Sequence, residues 1–562
     1  MTFHPRTFPT RRFSLRAAAL IGAAALMITG CGTGGTGGQQ PGQNGGEQPV
    51  LNVHASSTPT YQANFNPISV TFLPGTRGLI YEPLIAYTPM KPNEGQPWLA
   101  EKAEFNEDGT ELTLDLRAGV TWSDGEPFTA DDVAYTFNLY VEEPATNTGA
   151  LPVKSAKKVD DDTVTVAFTE PAFARMPSIG NTTPLPEHVF GKEKPVEFTN
   201  EKPIGTGPYT LKSFSDQVYT LQKNPSYWDA ESIKVEQIAF PASTTQTFTT
   251  SLQQGKLDWS GGFVANIEQI FVAKDPEHNK YWFPGDGAVN LLVNQQKAPF
   301  DDLELRKAIS LGVDRQVLSD TAMQGYTPPA HPTGLVLPAF ESAMDPKYAD
   351  AKFVHDPAQA NKILDDAGYT RGEDGIRTSP DGKKLSFDLV IPSGYVDWVA
   401  MSKLLQEQLK EIGIDLKPQG VATQNWAENR NLGNYDITIA SVAGGTAPYF
   451  LYRSMMSSEF KAAEGKPATS NYSRWYDQQT DALFAKYEAS NDAAAQQQAI
   501  AGMQQIVVDE LPLIPLLQSP NWFQYRTVNF DGWPTKENPY ALPAPYSYPD
   551  NLLVIKQLKP TK

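Results

Sequence analysis

The sequence predicts a chain of two or three domains, with an α+β first half and a parallel α/β second half. Its 562 residues exceed what one hydrophobic core accommodates, and a content of 40% hydrophobic and 11% aromatic residues is typical of a globular protein. In the second half, predicted strands alternate with amphipathic helices, which indicates a parallel sheet. In the first half, short segments of alternating hydrophobicity lie between turn residues and indicate half-exposed, antiparallel strands.

The N-terminal residues are typical of an export signal. Residues 1–16 carry four arginines and no acid, and the apolar run at 17–28 is shorter than the roughly 20 residues of a membrane-spanning helix. The segment ITGC at 28–31 resembles the lipobox of bacterial lipoproteins, in which a peptidase cuts before the cysteine and the sulfur carries a diacylglycerol. We therefore expect a signal peptide at 1–30 and lipidation of Cys31, the only cysteine.

Residues 31–49 are predicted to form a flexible tether. They are rich in Gly and Gln and have hardly any large apolar side chain, so they cannot bury enough surface to become ordered. Loss of residues 1–30 takes the formal charge from −18 to −22, which argues against nucleic acid as a partner and leaves membrane attachment to the lipid. TRRFSL at 10–15 resembles a twin-arginine signal, so the export route stays open.

Helix signals are clear in the second half. In DPAQANKILDDAGY (356–369), Asp356 is a good N-cap, Pro357 suits the first helical position and Gly368 can end the helix. DWVAMSKLLQEQLKEIGI (397–414) has apolar residues near helical spacing. IDLKPQ (414–419) and YDITIA (435–440) are predicted strands, and the order of elements predicts parallel pairing.

Strands and one capped helix are predicted in the first half. The strand signals are ELTLDLRAGV (111–120), DDTVTVAFTE (161–170) and YTLQKN (219–224). In TWSDGEPFTADDVAYTFN, Ser123-Asp124-Gly125 forms a turn, because Gly accepts a positive φ. Thr129 then caps a helix whose first turn carries Asp131 and Asp132, where negative charge is favourable.

Five segments together resemble the family 5 extracellular solute-binding proteins, the oligopeptide and dipeptide receptors of bacterial ABC importers. They are LIYEPLIAY (79–87), LTLDLRAGVTWSDGEPFTADDVAYTFN (112–138), PIGTGPYTLKSF (203–214), NPSYWD (224–229) and NLLVNQQKAPFDDLELRKAISLGVDRQVL (290–318). The resemblance covers nearly the whole chain after residue 30. It implies an α/β, two-lobe, periplasmic-binding-protein-like fold that closes on its ligand.

The resemblance also implies where the lobes lie in the sequence. Lobe one takes residues 50–288, with an extra α+β subdomain inserted at about 75–200, and the chain returns to this lobe at 520–562. Lobe two takes residues 289–519. The expected partners are a permease pair with ATPase subunits, because the chain itself has no P-loop, and the protein is expected to be a monomer at the outer face of the cell membrane or in the periplasm.

Signals for an enzyme are missing from the sequence. It contains neither a G-x-S-x-G elbow nor an H-E-x-x-H motif, and its six histidines are scattered without metal-ligand spacing. We therefore expect a ligand-binding protein without a metal or cofactor. A secreted hydrolase and a lipid-anchored sensor without a transport role are the alternatives; neighbouring permease genes would argue against a sensor.

The ligand class stays open between oligopeptide and oligosaccharide, with other organic solutes as a further alternative. Peptide receptors of this family hold the α-ammonium with an aspartate, and alignment on Pro448 places Gly444 at that position, so a buried ammonium would lack this counter-ion. Aromatic and amide side chains are instead frequent in lobe two, and flat aromatic faces suit sugar rings. The predicted ligand contacts are Trp259, Tyr395, Trp398, Trp426, Gly444, Tyr449, Asn471, Arg474 and Trp475.

Overall fold

The computed structural model of the protein describes residues 48–69, 71–91, 94–462 and 465–561. The predicted signal peptide, most of the predicted tether and Cys31 lie outside these described residues. The described residues form two large hydrophobic cores. One core packs against a seven-stranded and a four-stranded sheet, and the other surrounds a five-stranded sheet. Within the described ranges, no helix combines the length and the apolar character needed to cross a membrane.

The seven-stranded sheet joins segments from both ends of the chain. Its strand order is Asn279–Tyr281, Gln524–Arg526, Trp259–Ser260, Leu51–His54, Gln237–Pro241, Val218–Lys223 and Tyr209–Phe214. Leu51–His54 runs parallel to both of its neighbours, and the other pairs are antiparallel. The helix Thr245–Gln253 precedes one of these strands, and the C-terminal helix Asp550–Gln557 packs into the same core.

The four-stranded sheet is antiparallel, which confirms the α+β prediction for the first half. Its order is Ala100–Phe105, Glu111–Leu116, Thr163–Phe168 and Val153–Lys158. The helix Ala130–Glu142 packs on it, and Thr129 caps this helix reciprocally with Asp132, whose carboxylate accepts from the Thr129 N–H at 3.1 Å. Gly125 has a φ of +95°, so the predicted turn before this helix is confirmed.

The five-stranded sheet confirms the predicted parallel α/β arrangement of the second half. Its order is Asp415–Val421, Ser386–Pro392, Ile437–Ala443, Gly285–Val293 and Ile514–Pro520. The first three strands are parallel, and Gly285–Val293 runs antiparallel to both of its neighbours. The helix Val396–Glu411 is the crossover between the first two strands, and Thr423–Leu432 leads to the third.

Further helices cover the five-stranded sheet or lie on the surface. They are Leu303–Gly312, Pro357–Asp366, Pro448–Met456, Gln478–Glu488 and Ala493–Glu510, with the short Met176–Gly180, Glu187–Phe190, Ile267–Ile270 and Arg315–Val317. Three short strand pairs are Ile85–Ala86 with Gln96–Pro97, Thr370–Arg371 with Arg377–Thr378, and Phe530–Asp531 with Lys559–Pro560. Asp356 caps Pro357–Asp366 by accepting from the Gln359 N–H at 2.9 Å, as predicted.

Two glycines of the GTGPY segment let two backbone segments approach closely. The Gly207 N–H donates to the Ile80 carbonyl at 2.8 Å, and the Ser123 N–H donates to the Gly205 carbonyl at 3.0 Å. A Cβ atom at Gly205 would overlap the Ile80 carbonyl oxygen, and one at Gly207 would lie 2.5 Å from the Leu79 carbonyl oxygen. The segment is therefore a packing motif that joins the strand Tyr209–Phe214 to the segment before Tyr81.

We expect Gly205→Ala to lower the free energy of unfolding by about 2 kcal/mol, because a backbone carbonyl cannot move aside as a side chain can. Urea unfolding followed by circular dichroism measures this change. Gly149→Ala is the matched control, since the nearest atom to a Cβ there is 3.8 Å away. Equal unfolding midpoints for the two variants would contradict the close-approach explanation.

Candidate ligand-binding cleft

The chain crosses between the two cores along two adjacent segments. One segment leaves the seven-stranded sheet at Tyr281 and enters the five-stranded sheet at Gly285, and the other returns between Pro520 and Gln524. Gly285 pairs with Pro520 in the ladder, and the Asn521 N–H donates to the Pro284 carbonyl at 2.7 Å. These paired segments form a two-stranded hinge at the base of any cleft between the lobes.

The carboxyl edge of the five-stranded sheet lies at this hinge. The strands that end at Pro392, Val421, Ala443 and Pro520 all point to one edge, and the antiparallel strand begins there at Gly285. Ligands of open α/β sheets bind outside the carboxyl ends of the strands. This edge, with the loops that follow it, is therefore the candidate ligand-binding surface of lobe two.

Small side chains face solvent where this edge meets the hinge. In the strand Ile437–Ala443, Ser441 and Ala443 are exposed and the other residues are buried. Ser519, on the strand Ile514–Pro520, is half-buried. The Ser519 hydroxyl lies 3.5 Å from that of Ser441. The floor of the cleft is thus open and polar, and it offers hydroxyl groups to a ligand.

Asp286 is a carboxylate on the hinge itself. Its side chain is half-buried and accepts from Asn521 Nδ2 at 2.8 Å, and its carbonyl accepts from the Gly444 N–H at 2.7 Å. Burial raises the pKa of Asp286 to about 6, and hydrogen bonds from Asn521 and Ser519 oppose this rise only in part. No lysine, arginine or histidine among the described residues forms an ion pair with it.

Cavities lie between side chains that belong to the two cores. One of about 300 Å³ is lined by Arg77, Tyr140, Asn181 and Tyr548 on one side and by Thr446 and Phe450 on the other. A second, of about 800 Å³, includes Phe105 and Phe173 opposite Phe450 and Tyr487. Both are bounded by residues that follow the carboxyl edge, so the two lobes enclose space on either side of Phe450.

Arg175 connects the two lobes across this space. The preceding residue, Ala174, is buried in the core around the five-stranded sheet. Among the described residues before 285, it is the only buried residue that belongs to this core. The buried Arg175 guanidinium lies 3.1 Å from Glu488 and 3.6 Å from Glu459, and 5.6 Å from the ring of Tyr449. Tyr449 donates its hydroxyl to the same Glu488 carboxylate. This Arg175 cluster holds the lobes together.

Three of the predicted contact residues form one aromatic group beside the carboxyl edge. Tyr395 is 42% exposed and meets Trp398 edge to face, with ring centroids 5.1 Å apart. Trp398 meets Trp426 at 5.7 Å, and the Trp426 Nε1–H donates to Thr438 at 2.9 Å. The two tryptophans are buried, so Tyr395 is the member that presents its ring to solvent.

The other predicted residues have partners inside the fold. Trp259 is buried and donates to the Pro543 carbonyl at 2.7 Å, and Tyr449 belongs to the Arg175 cluster. Asn471 and Arg474 are buried with positive φ, Arg474 donates to the Asn431 carbonyl at 3.0 Å, and Trp475 donates to Thr480 at 3.1 Å. Gly444 is buried beside Asp286, Val336 and Phe340.

Asp286 and Arg175 are absent from the sequence-based contact residues. Asp286 stands between two glycines in FPGDG, which reads as a turn, and Arg175 stands in a loop without a recognisable motif. Both gain their roles from residues far away in the sequence; Arg175 and Glu488, for example, are 313 positions apart. Among the described residues, no group of three side chains could hold a metal ion.

The two lobes, the paired hinge segments and the cleft between them define a two-lobe solute-binding protein. The sequence profile of the bacterial extracellular solute-binding proteins, family 5, middle region, matches residues 94–463. The chain belongs to this family, whose members bind solutes and are not enzymes. The predictions of the family, of the two-lobe fold and of a non-enzymatic role are therefore confirmed.

Similar proteins come from several bacteria. The oligopeptide-binding protein OppA of Bacillus subtilis is 23% identical over 92% of this chain and 95% of its own. Protein XP55 of Streptomyces lividans is 32% identical, over 56% of this chain and 57% of its own. A periplasmic oligopeptide-binding protein of an ABC transporter from Thermotoga maritima superposes with a TM-score of 0.84 at 25% identity, over 91% of this chain and 99% of that one. Its mannohexaose-bound structure gives a TM-score of 0.80.

Proposed function

We propose that the protein is the ligand-capturing lipoprotein of an ABC importer and takes up oligopeptides or oligosaccharides by closure of its cleft. The observation that carries this proposal is the Arg175 cluster, which joins two lobes that the chain links only through the two hinge segments. A ligand that contacts both lobes gains all of its contacts only in the closed state, so binding shifts the population toward closure.

The proposed assembly follows from the same role. The proposed lobes are residues 50–288 with 520–562, and residues 289–519, as the sequence predicts. A lipid on Cys31 would hold the protein at the outer face of the membrane, as a monomer, and residues 31–49 would let it reach a permease pair driven by ATPase subunits. The acidic charge of the chain supports anchoring by the lipid rather than by attraction to anionic headgroups.

Two observations support oligosaccharides as one ligand class. Gly444 stands at the position that aligns with the ammonium-binding aspartate of peptide receptors, so this position has no carboxylate. Tyr395 presents an aromatic face beside the carboxyl edge. The Thermotoga maritima relative also has a mannohexaose-bound structure. The names of the relatives support oligopeptides as the other class. Both classes are extended oligomers, which suits a cleft that runs along several strand ends.

A thermal-shift panel tests this proposal on the chain from residue 32, which lacks the lipidation site. The panel contains di- to hexapeptides and a series of oligosaccharides that includes mannohexaose. A ligand present at about 100 times its dissociation constant adds roughly 2.7 kcal/mol to the free energy of unfolding. We expect a shift with members of one of the two classes. Absence of any shift across both classes would contradict capture of oligopeptides or oligosaccharides.

A further inference from the structure

We propose that Arg77 binds a carboxylate group of the captured ligand, inside the cavity of about 300 Å³ between the lobes. This inference rests on the proposed function and narrows it, because the ligand would be an oligomer that carries an acid group. That group could be the carboxyl terminus of a peptide or the carboxylate of a uronic acid unit. The shared chemistry is the carboxylate, and the two sources are separated by the test below.

The cavity has a positive wall although the protein as a whole is acidic. The sequence contains 64 aspartates and glutamates against 46 lysines and arginines, so an average patch of its surface carries more acid than base. Of the described residues that line this cavity, Arg77 is the only charged one. The rest of the lining consists of hydroxyl, amide and apolar groups. The charge of Arg77 is therefore not balanced inside the cavity.

The half-buried Arg77 side chain is oriented by its surroundings. Its Nε–H donates to the Pro67 carbonyl at 2.6 Å, and its guanidinium carbon lies 4.9 Å from the centre of the Phe72 ring. Asn551 fixes the backbone, because its Nδ2 atom donates to the Arg77 carbonyl at 3.0 Å. The two terminal nitrogens, Nη1 and Nη2, donate to none of the described residues. This end of the guanidinium offers the planar pair of donors that matches a carboxylate.

The other arginines of the described chain differ from Arg77 in this respect. Some form ion pairs, as Arg175 does with Glu488. Arg315 has no ion pair, but the carbonyl and the hydroxyl of Ser310 accept from its Nη1 and Nη2 atoms at 2.9 and 3.0 Å. Arg77 is the one described arginine whose two terminal nitrogens both lack a partner within the described chain. A carboxylate of the ligand would supply that partner.

Hydroxyl groups around Arg77 complete the site. Burial raises the pKa of Tyr140 and of Tyr548, and the positive charge of Arg77 opposes this rise at both residues. Tyr548 is held in place by donating to the Asn181 carbonyl at 3.1 Å, whereas the Tyr140 hydroxyl stays protonated at neutral pH and can donate to a carboxylate. Thr446 adds a hydroxyl from lobe two. A carboxylate in this cavity therefore contacts both lobes, which couples its binding to closure.

Isothermal titration calorimetry on the chain from residue 32 tests the inference with paired ligands. The pairs are tetraalanine with tetraalanine amide, and a galacturonic acid hexamer with its fully methyl-esterified form. We expect the free-acid member of one pair to bind at least about tenfold more tightly than its amide or ester partner. Arg77→Gln should remove this preference, and Arg77→Lys, which keeps the charge but not the paired donors, should retain part of it.

The matched control is Arg371→Gln, which should leave the preference unchanged. It removes the same charge from an exposed arginine of the short strand Thr370–Arg371, which does not line the cavity.

Several outcomes would overturn the inference. Equal binding of the acids and their amide or ester partners by the wild type would do so, as would an Arg77→Gln or Arg77→Lys variant with an undiminished preference. Binding of mannohexaose, which has no acid group, without any response to the acidic ligands would overturn it while leaving the proposed capture function intact. No binding of mannohexaose, peptides or uronic acid oligomers would overturn both.

Discussion

Replacing Arg175 with methionine is expected to weaken ligand binding by roughly 30-fold, or about 2 kcal/mol. The substitution keeps an unbranched, flexible side chain and removes the charge between Glu488 and Glu459. Two carboxylates and the Tyr449 ring then face each other in the closed state without a cation, whereas in the open state water solvates them. The closed state therefore loses stability relative to the open one.

Two measurements check this expectation. Calorimetric titration with the ligand found in the thermal-shift panel gives the loss of affinity, and small-angle X-ray scattering should show a larger radius of gyration for the ligand-free variant. Lys194→Met is the matched control, because it removes an exposed ion pair with Glu197 within one loop. If Arg175→Met bound the ligand as the wild type does, the Arg175 cluster would have no part in closure.

Replacing Glu82 with glutamine is expected to change how stability depends on pH. Glu82 is 1% exposed, and the Trp98 Nε1–H, the Tyr227 hydroxyl and the Trp228 Nε1–H all donate to its Oε1 atom. Burial raises its pKa to about 7, and these hydrogen bonds oppose the rise only in part. The folded protein therefore keeps the Glu82 proton through a pH range in which the unfolded chain has released it.

The direction of the effect follows from proton linkage. Because the folded pKa lies above the ordinary value of 4.5, the wild type loses stability as the pH rises from 4.5 through 7. The loss from this group amounts to about 3 kcal/mol by pH 8, at about 1.4 kcal/mol per pKa unit. Glutamine does not titrate, so the stability of the variant relative to the wild type should rise by that amount between pH 4.5 and pH 8.

Urea unfolding of both proteins at pH 4.5 and pH 8 measures the difference. The matched control is Glu126→Gln, which alters an exposed carboxylate near the capped helix Ala130–Glu142 and should not change the pH dependence. If the difference in unfolding free energy between wild type and Glu82→Gln were the same at both pH values, burial would not hold Glu82 protonated.

Local signals in the sequence predict much of the fold. Thr129 and Asp356 cap the helices that they were expected to cap, and Gly125 takes the positive φ that its turn requires. These features depend on side chains bonding to nearby backbone groups, so a short window of sequence contains the cause. The crossover helix lies in the predicted segment 397–414 and runs from Val396 to Glu411; Gly413, which follows its end, has a φ of +86°.

The candidate site depends on contacts that no short window contains. Trp259 is a predicted ligand contact because of its aromatic type and because it follows a turn that faces the cleft in the family; its indole N–H donates to the Pro543 carbonyl, 284 positions away. Asp286 gains its position from Asn521 and Gly444, which come from two other parts of the chain. Which polar and aromatic side chains remain available to a ligand depends on the topology that brings such distant segments together. A local sequence pattern does not predict this topology.

The strand order of the seven-stranded sheet has a consequence for the order of folding. Gln524–Arg526 lies between Asn279–Tyr281 and Trp259–Ser260, so this sheet is incomplete until the last 40 or so residues have left the ribosome or the export channel. The five-stranded sheet uses only residues between 285 and 520 and can assemble earlier. During biogenesis, the lobe that begins first is therefore the lobe that is finished last.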